Sequence, residues 1–298
     1  MNRRFIILLI FCIFPGCNDV LFAWGTEGHR SINLNGIRSL PITMLRFREA
    51  EYYIADHASD VDRRKNRSTE ETFRQFIKLE RYLEFFNRTM PKNVLDLQKK
   101  YGEETVRQNG YLPYLIFQLY DSLQRCMKAK NWETTLSVVS DLGHYIGDLT
   151  MPLNTTINYD GQLTNNNGIK WRYEIEMMDR FYYQMNFNKI EPAAFASAAN
   201  DPMNQIFALM GRSYSRIPLI LRADTAALRI AKGKYNVKYY SALWKEVSKP
   251  TTELMQEGTN LFANLVYNAW LNSGGIKIVW QDEKVSQINE DVINPEHL

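Results

Sequence analysis

The stretch "WETTLSVVSDLGHYIGDL", from Trp132 to Leu149, carries apolar residues at the spacing of an amphipathic α-helix. These apolar residues are Leu136, Val139, Leu142 and Ile146. Asn131, directly before the stretch, is predicted to cap the helix, because its side-chain oxygen can accept a hydrogen bond from a free backbone N–H group. Met151 and Pro152 follow the stretch and should end the helix.

The same periodicity extends through most of the chain and predicts an all-α fold. Residues 111–129, "YLPYLIFQLYDSLQRCMKA", have an apolar stripe of period 3.6, and residues 202–232 and 239–271 are also helical in pattern. Pro250 and Thr251 are expected to divide the last of these segments into two helices, because proline lacks the backbone donor that a helix interior uses.

Turn residues and strand-like residues are confined to short segments. "NYDGQLTNNNG", residues 158–168, is rich in Asn, Asp and Gly and is predicted to be a loop. "GIKIVW", residues 275–280, is the only fair strand candidate. Because no linker of Ser, Gly or Pro divides the chain, we expect a single helical domain with long irregular connections.

Length and composition are those of a globular protein with a sizeable core. The chain has 298 residues, of which 45% are hydrophobic and 13% aromatic. A net charge of +3, with the two signs well mixed, argues against a strongly basic nucleic-acid-binding protein. We therefore expect no strong sequence signature of nucleic-acid binding.

The N-terminus has the pattern of a signal peptide. Arg3 and Arg4 precede the apolar run Phe5–Phe14, which is too short to span a bilayer and suits a signal-peptide core. We favour cleavage after Ala23, with lipidation of Cys17 as the alternative. The expectation is a secreted or periplasmic protein with residues 1–23 as signal peptide, residues 24–298 as the mature domain and no transmembrane anchor after cleavage.

His144 and Asp148 lie four residues apart on the predicted helix and therefore share one face. A metal ion bound by both is one interpretation, and a buried His–Asp hydrogen bond is the alternative. Gly143 and Gly147 lower the stability of a helix, so we expect them to allow close packing against another backbone.

Two further segments bear possible metal ligands. "WGTEGHRSIN" starts at Trp24, whose amine and carbonyl would both be able to ligate a metal after cleavage, and His29 follows. Its alternative interpretation is an amphipathic helix with Trp24 and Ile32 in the core. "DHASDVDRRK", residues 56–65, is dense in carboxylates, and its alternative interpretation is a solvated, charged helix end.

Taken together, these segments resemble the superfamily of zinc-dependent phospholipases C and single-strand-specific nucleases, and secreted bacterial members in particular. Five motifs occur in the family's order between Trp24 and about residue 176: "WGTEGHRSIN", "HASDVDRRK", "RQFIKLERY", "GHYIGD" and "NYDGQLTNNNGIKWRYE". The resemblance implies a helical domain with a cleft that holds three zinc ions and hydrolyses phosphoester bonds in phospholipids or single-stranded nucleic acids.

The resemblance also implies a set of metal ligands. It places Trp24 and His29 at an N-terminal zinc, with Asp148 as the bridging carboxylate. It places Asp60, His144 and Asp148 at a neighbouring zinc, and Asp60 would be the catalytic base.

Two assignments complete this set. Asp62 is the alternative to Asp60 at the neighbouring zinc, and Glu174 falls on the last ligand of the remaining zinc.

The chain departs from the family pattern at three ligand positions. Where the family has histidine, this sequence has Gln75, Asn154 and Lys170. Lys170 would place an ammonium group near one metal position, where it repels a cation and can pair with Glu174 instead. Zinc sites need three or four Cys, His or carboxylate ligands, so the site at Glu174 is predicted to be lost.

These departures predict a protein that binds about one zinc ion through Trp24, His29 and Asp148. Because multi-metal hydrolysis depends on neighbouring ions, we expect a catalytically weak or inactive protein that binds a phosphate-containing or other ligand. The first alternative is an active metal-dependent phosphodiesterase, acting on phospholipid or single-stranded nucleic acid, that uses one or two metals. A purely structural protein is the second alternative.

Overall fold

The computed structural model describes residues 24–65, 67–187 and 201–278. The predicted signal peptide, its cleavage point after Ala23 and the alternative lipidation site at Cys17 lie outside the described residues. Within the described ranges the protein is all-α and contains no β-strand, as predicted. Residues 275–278 of the strand candidate have no regular structure, and its last two residues are not described.

Helices of very different length make up the fold. The α-helices in chain order are α1 (Gly25–Arg38), α2 (Leu45–Arg48), α3 (Glu51–Asp56), α4 (Asp60–Lys65), α5 (Thr69–Arg74), α6 (Leu83–Phe86), α7 (Val94–Tyr101), α8 (Glu103–Asn109), α9 (Leu112–Lys128), α10 (Trp132–Thr150), α11 (Ile169–Trp171), α12 (Met178–Phe181), α13 (Pro202–Ser215), α14 (Ile217–Ile230) and α15 (Val237–Asn272). A π-helix, Arg172–Met177, joins α11 to α12. Short 3₁₀ helices are Ile42–Met44, Leu79–Arg81, Pro152–Thr155 and Tyr182–Gln184.

Helix α10 is the central element and packs against α1, α9 and α15. Its bounds confirm the sequence prediction, and the side chain of Asn131 accepts a hydrogen bond from the Thr134 N–H, with 3.2 Å between N and Oδ1. Thirteen of its residues, including His144 and Asp148, are buried. A helix enclosed on several sides must satisfy its polar side chains internally, which makes this helix the natural place for a buried polar site.

The expected break at Pro250 is wrong, because α15 continues through it from Val237 to Asn272. Proline removes one backbone hydrogen bond from a helix, but the packing of α15 against α1, α9, α10, α13 and α14 outweighs this local preference. Thr251, the next residue, is buried and its hydroxyl lies 2.8 Å from the Tyr173 hydroxyl. By contrast, the predicted helical segment 202–232 is divided at Arg216 into α13 and α14.

The interior holds two hydrophobic clusters that flank the polar residues of α10. One contains Leu142, Ile146 and the apolar side chains of α9, and the other contains Trp24, Ile32 and Tyr173. The loop predicted at residues 158–168 is confirmed. Across the part of the chain that the structure describes, no helix combines the length and apolar character needed to cross a bilayer.

Candidate metal centre

Three helices bring histidine and aspartate side chains together in the interior. His29 comes from α1, Asp62 from α4, and His144 and Asp148 from α10, and each of the four is 0% exposed. One ligand atom each of His29, Asp62 and His144 lies within 4.8 Å of the others. This buried group could hold a metal ion.

Asp148 lies at the edge of the same group. Its Oδ2 is 3.2 Å from His144 Nε2, and its Oδ1 is 3.8 Å from His29 Nε2. His144 Nε2 is also 3.8 Å from Asp62 Oδ1. The α-helical spacing of four residues brings His144 and Asp148 into contact, as expected, and α1 and α4 add one further ligand each. We refer to His29, Asp62, His144 and Asp148 as the buried cluster.

Several polar atoms of the buried cluster have no hydrogen-bond partner among the described residues. They are both ring nitrogens of His29, Nδ1 of His144, Oδ2 of Asp62 and Oδ2 of Asp148. A buried polar atom without a partner carries a desolvation cost of about 1–3 kcal/mol. Two imidazoles and two carboxylates are ligands that zinc accepts in four-coordinate sites, so the residues present fit a divalent metal ion.

Charge in the buried cluster is unevenly distributed. Burial and the neighbouring His144 lower the pKa of His29 to about 4, which keeps its ring neutral. Burial also lowers the pKa of His144, but the carboxylates of Asp148 and Asp62 outweigh it and raise that pKa above its ordinary value. Burial acts to raise the pKa of Asp62, but the positive charges of His144 and Lys65 outweigh burial, and the pKa of Asp62 is lowered from its ordinary value.

Glycines on α10 admit the side chains of α1. A methyl group added at Gly147 would come within 2.6 Å of His29 Nδ1, and one added at Gly143 within 1.8 Å of Asn33 Oδ1. The expected close approach is therefore real, but it is made by side chains and not by a second backbone. Without these two glycines, His29 and Asn33 could not occupy their present positions.

Asp60 does not join the buried cluster, whereas Asp62, the alternative that the sequence offered, does. The side chain of Asp60 is one third exposed, with its Oδ2 2.7 Å from His57 Nδ1 and an ion pair to Arg63. Residues two apart on a helix point in nearly opposite directions. Asp62 shares the buried face of α4 with Val61, and Ala58, in the turn just before α4, is buried as well.

Trp24 lies beside the buried cluster with its side chain in the core. The indole N–H donates to the Gly147 carbonyl oxygen and to Thr150 Oγ1, both at 2.9 Å. The Trp24 carbonyl oxygen accepts a hydrogen bond from the Gly28 N–H, with 3.2 Å between the heavy atoms. The observed side-chain positions therefore agree with the alternative interpretation of this segment, an amphipathic helix with Trp24 and Ile32 buried in the core.

Gln75 touches the buried cluster where the resemblance implied a histidine. Its Nε2 donates to Asp62 Oδ1 at 3.1 Å and lies 3.4 Å from His144 Nε2. Its Oε1 is buried without a hydrogen-bond partner in the described structure. The Gln75 amide therefore packs directly against one side of the buried cluster.

Asn154, Lys170 and Glu174 form a second group next to Asp148. Lys170 Nζ lies 3.4 Å from Glu174 Oε2 and donates a hydrogen bond to Asn154 Oδ1. The Asn154 amide in turn donates to the Asp148 carbonyl oxygen at 3.2 Å. Burial raises the pKa of Glu174 to about 7, and the Lys170 ammonium acts in the opposite direction.

The π-helix that carries Glu174 also carries a residue that the sequence did not single out. Arg172 is buried, and its Nη2 donates to Asp224 Oδ1 at 3.0 Å while its Nε donates to the Tyr239 hydroxyl at 3.0 Å. The single signal in the sequence is a charged residue two positions before Glu174. It indicates nothing about Asp224, which lies far along the chain.

Two comparisons with known proteins found no match for this chain. No family model matches the chain, and no curated protein matches it.

Proposed function

We propose that this protein is a secreted member of the zinc-dependent phospholipase C and single-strand nuclease superfamily that has lost most of its catalytic power and acts as a binding protein. The observation that carries the proposal is the contact of Lys170 with Glu174 and Asn154. An ammonium group bonded to a buried carboxylate and amide supplies the positive charge that a metal ion would supply there.

The geometry of the substituted positions supports the same proposal. Gln75 contacts Asp62 and His144, and Asn154 contacts Asp148. The three residues that replace histidine in the resemblance therefore lie against the ligands that remain.

Zinc is the metal that we propose for the buried cluster. Imidazole and carboxylate are its usual nitrogen and oxygen ligands, and His29, His144, Asp62 and Asp148 supply two of each. The free amine of Trp24 would add a ligand if the mature chain begins there. Only one ion is proposed, since Lys170 fills the remaining position and opposes a second cation by charge.

Zinc content and diester hydrolysis test the proposal together. The exported protein, with its N-terminus determined by intact mass, is dialysed, analysed for zinc and assayed with bis(p-nitrophenyl) phosphate. We expect at most about one zinc per chain and hydrolysis far below the ~1–10³ per second of typical enzymes. Three zinc ions retained after dialysis, or turnover in that range, would contradict the proposal.

A phosphate-containing ligand is the proposed class of binding partner. Inorganic phosphate should then raise the melting temperature of the zinc-loaded protein, because a ligand that binds only the folded state stabilises it. Sulfate at the same concentration serves as the control for general anion effects. Equal shifts with both anions would remove the argument for phosphate.

An active phosphodiesterase with one or two metals is the second candidate function. It is favoured by the buried cluster itself, since His29, Asp62 and His144 keep ligand atoms free of other partners within the described structure. The two functions differ in one measurement. If the protein is an active phosphodiesterase, hydrolysis must be lost in Asp62→Asn. After metal has been removed, added metal must restore hydrolysis in the wild-type protein and not in this variant.

A further inference from the structure

The connection between α14 and α15 has an unusual charge pattern. Residues 225–245 contain no Asp or Glu, but they contain several basic residues. These are Arg229, Lys232, Lys234, Lys238 and Lys245. Asp224, just before this stretch, is buried and bonded to Arg172, so it does not neutralise the surface.

The same connection projects from the body of the protein. All residues from 232 to 238 are exposed. Lys232 and Gly233 have φ values of 54° and 76°, and this left-handed turn reverses the chain so that the end of α14 lies beside the start of α15. We call residues 229–238 the hairpin tip.

Large apolar side chains are exposed at the hairpin tip together with its lysines. Val237 is 77% exposed, and Ile230 and Tyr235 are each 50% exposed. Single exposed apolar residues are common on protein surfaces, whereas several within one short turn indicate a site of interaction. At the surface of an anionic bilayer, basic side chains are attracted to the lipid headgroups and apolar side chains can be buried at the headgroup boundary.

The cations of the hairpin tip differ from Arg212 of α13 and from Arg216, which joins α13 to α14. Arg212 pairs with Glu257, and Arg216 pairs with Glu253. Arg229, Lys232, Lys234 and Lys238 have no acidic partner within 4.0 Å among the residues described by the structure. Unlike Arg212 and Arg216, the cations of the hairpin tip therefore keep an uncompensated positive charge among the described residues.

The hairpin tip is fixed to the helical body. The ring of Tyr235 meets that of Tyr239 edge to face with centroids 5.0 Å apart, and the guanidinium of Arg172 lies 4.3 Å from the Tyr235 centroid. Tyr235 therefore orients the turn, and Ile230 and Val237 remain as its exposed aliphatic side chains.

From these contacts we infer that the hairpin tip docks the protein on an anionic lipid bilayer. Ile230 and Val237 enter the headgroup region, and the lysines approach the lipid phosphates. Each lysine held near such a surface strengthens binding about fivefold. A single-stranded nucleic acid fits less well, because it needs open aromatic faces for stacking, and the ring of Tyr235 is already engaged by Arg172 and Tyr239.

Vesicle co-sedimentation tests the inference. The full exported protein is mixed with vesicles of phosphatidylcholine alone or of equal parts phosphatidylcholine and phosphatidylglycerol, at low and at physiological salt. We expect binding to the anionic vesicles only, weakening as salt rises. The triple variant Lys232→Gln, Lys234→Gln, Lys238→Gln should reduce binding on the order of a hundredfold. The double variant Ile230→Ser, Val237→Ser should reduce it about tenfold at either salt concentration.

Matched controls use exposed residues elsewhere on the surface. Lys128→Gln with Lys130→Gln alters charge at the turn between α9 and α10, and Leu83→Ser removes a side chain that is 72% exposed. All variants share one N-terminus, so any lipid at Cys17 contributes equally, and circular dichroism verifies that each is folded. Absence of wild-type binding, or equal losses in tip and control variants, would overturn the inference. Binding of a single-stranded oligonucleotide that depends on the tip lysines, without vesicle binding, would replace it with a nucleic-acid surface.

Discussion

The imidazole rings of His29 and His144 stack on each other, with centroids 4.0 Å apart and 19° between their planes. The two rings come from different helices, and only one of them has its pKa raised, so they are not two protonated cations in contact. A neutral ring with unpartnered nitrogens beside a ring paired with carboxylates is an arrangement that a single metal ion would complete.

His29→Ala is expected to remove most of the bound zinc and lower stability at the same time. Binding energy at a site that exists only in the folded chain is also folding energy. At free zinc about a hundredfold above Kd, the loss amounts to about 2.7 kcal/mol. His57→Ala is the matched control, because the side chain of His57 is 42% exposed and pairs with Asp60 outside the buried cluster. Equal zinc content in both variants would exclude His29 as a ligand.

Asp62→Asn and Asp60→Asn should separate the two carboxylates of α4. The first removes a charged ligand atom from the buried cluster and should weaken zinc binding by more than about tenfold, the smallest loss usual for a group that supports a metal ligand. The second breaks an exposed pair with His57, which contributes about 0–1 kcal/mol to stability and nothing to the cluster. Isothermal titration with zinc measures both. The reverse order of effects would favour Asp60 over Asp62 as the ligand.

Replacing Gln75, Asn154 and Lys170 by histidine should increase zinc binding. Each substitution places an imidazole next to a ligand that is already buried, and Lys170→His also exchanges a cation for a neutral group beside Glu174. We expect zinc content to rise by at least one ion before any diester hydrolysis appears. Comparing the zinc content of the single variant Lys170→His with that of the triple variant isolates the effect of exchanging the cation beside Glu174. No additional zinc in the triple variant would mean that these positions do not surround metal sites.

Stability should fall at alkaline pH because several tyrosines are buried. Burial raises the pKa of Tyr82 to about 12 and raises the pKa of Tyr114 and Tyr239 further. Unfolded tyrosines ionise near pH 10, so above that pH the unfolded chain binds fewer protons and the folded state loses about 1.4 kcal/mol per pH unit for each such group.

Denaturant titrations between pH 9 and pH 11 measure this slope. Tyr82→Phe removes one ionising group and should make the fall shallower, with its stabilising effect relative to wild type growing above pH 10. Tyr183→Phe is the control, because that side chain is 68% exposed. An identical slope in wild type and Tyr82→Phe would contradict the assignment.

The local sequence pattern was sufficient to predict the helices, but it was insufficient where tertiary packing determines the structure. The apolar stripe and the cap at Asn131 predicted α10 closely, because both signals are local. Pro250 was expected to break α15, and only the surrounding helices explain why it does not. Which of Asp60 and Asp62 lies in the interior depends on the rotational phase of α4, which the buried Val61 indicates but which the acidic composition of the segment does not reveal.

The sequence predicted which residues belong to the buried cluster better than it predicted how they are arranged. His29, His144 and Asp148 were expected to face metal ions, and all three meet in the interior. Their grouping into one site with Asp62 was not expected, since the spacing along the chain says nothing about how α1 and α4 approach α10. The fit of His29 against Gly147 decides that approach, and it is visible only in three dimensions.

The ammonium of Lys170 is joined to the chain by its own side chain, so it cannot leave its contact with Glu174 in the way that a bound ion can. Its effective concentration is fixed by the fold and not by the surrounding solution. A chelator that removes metal from the buried cluster leaves this neighbouring charge in place. The charge of Glu174 is therefore balanced in the same way whether metal is abundant or scarce.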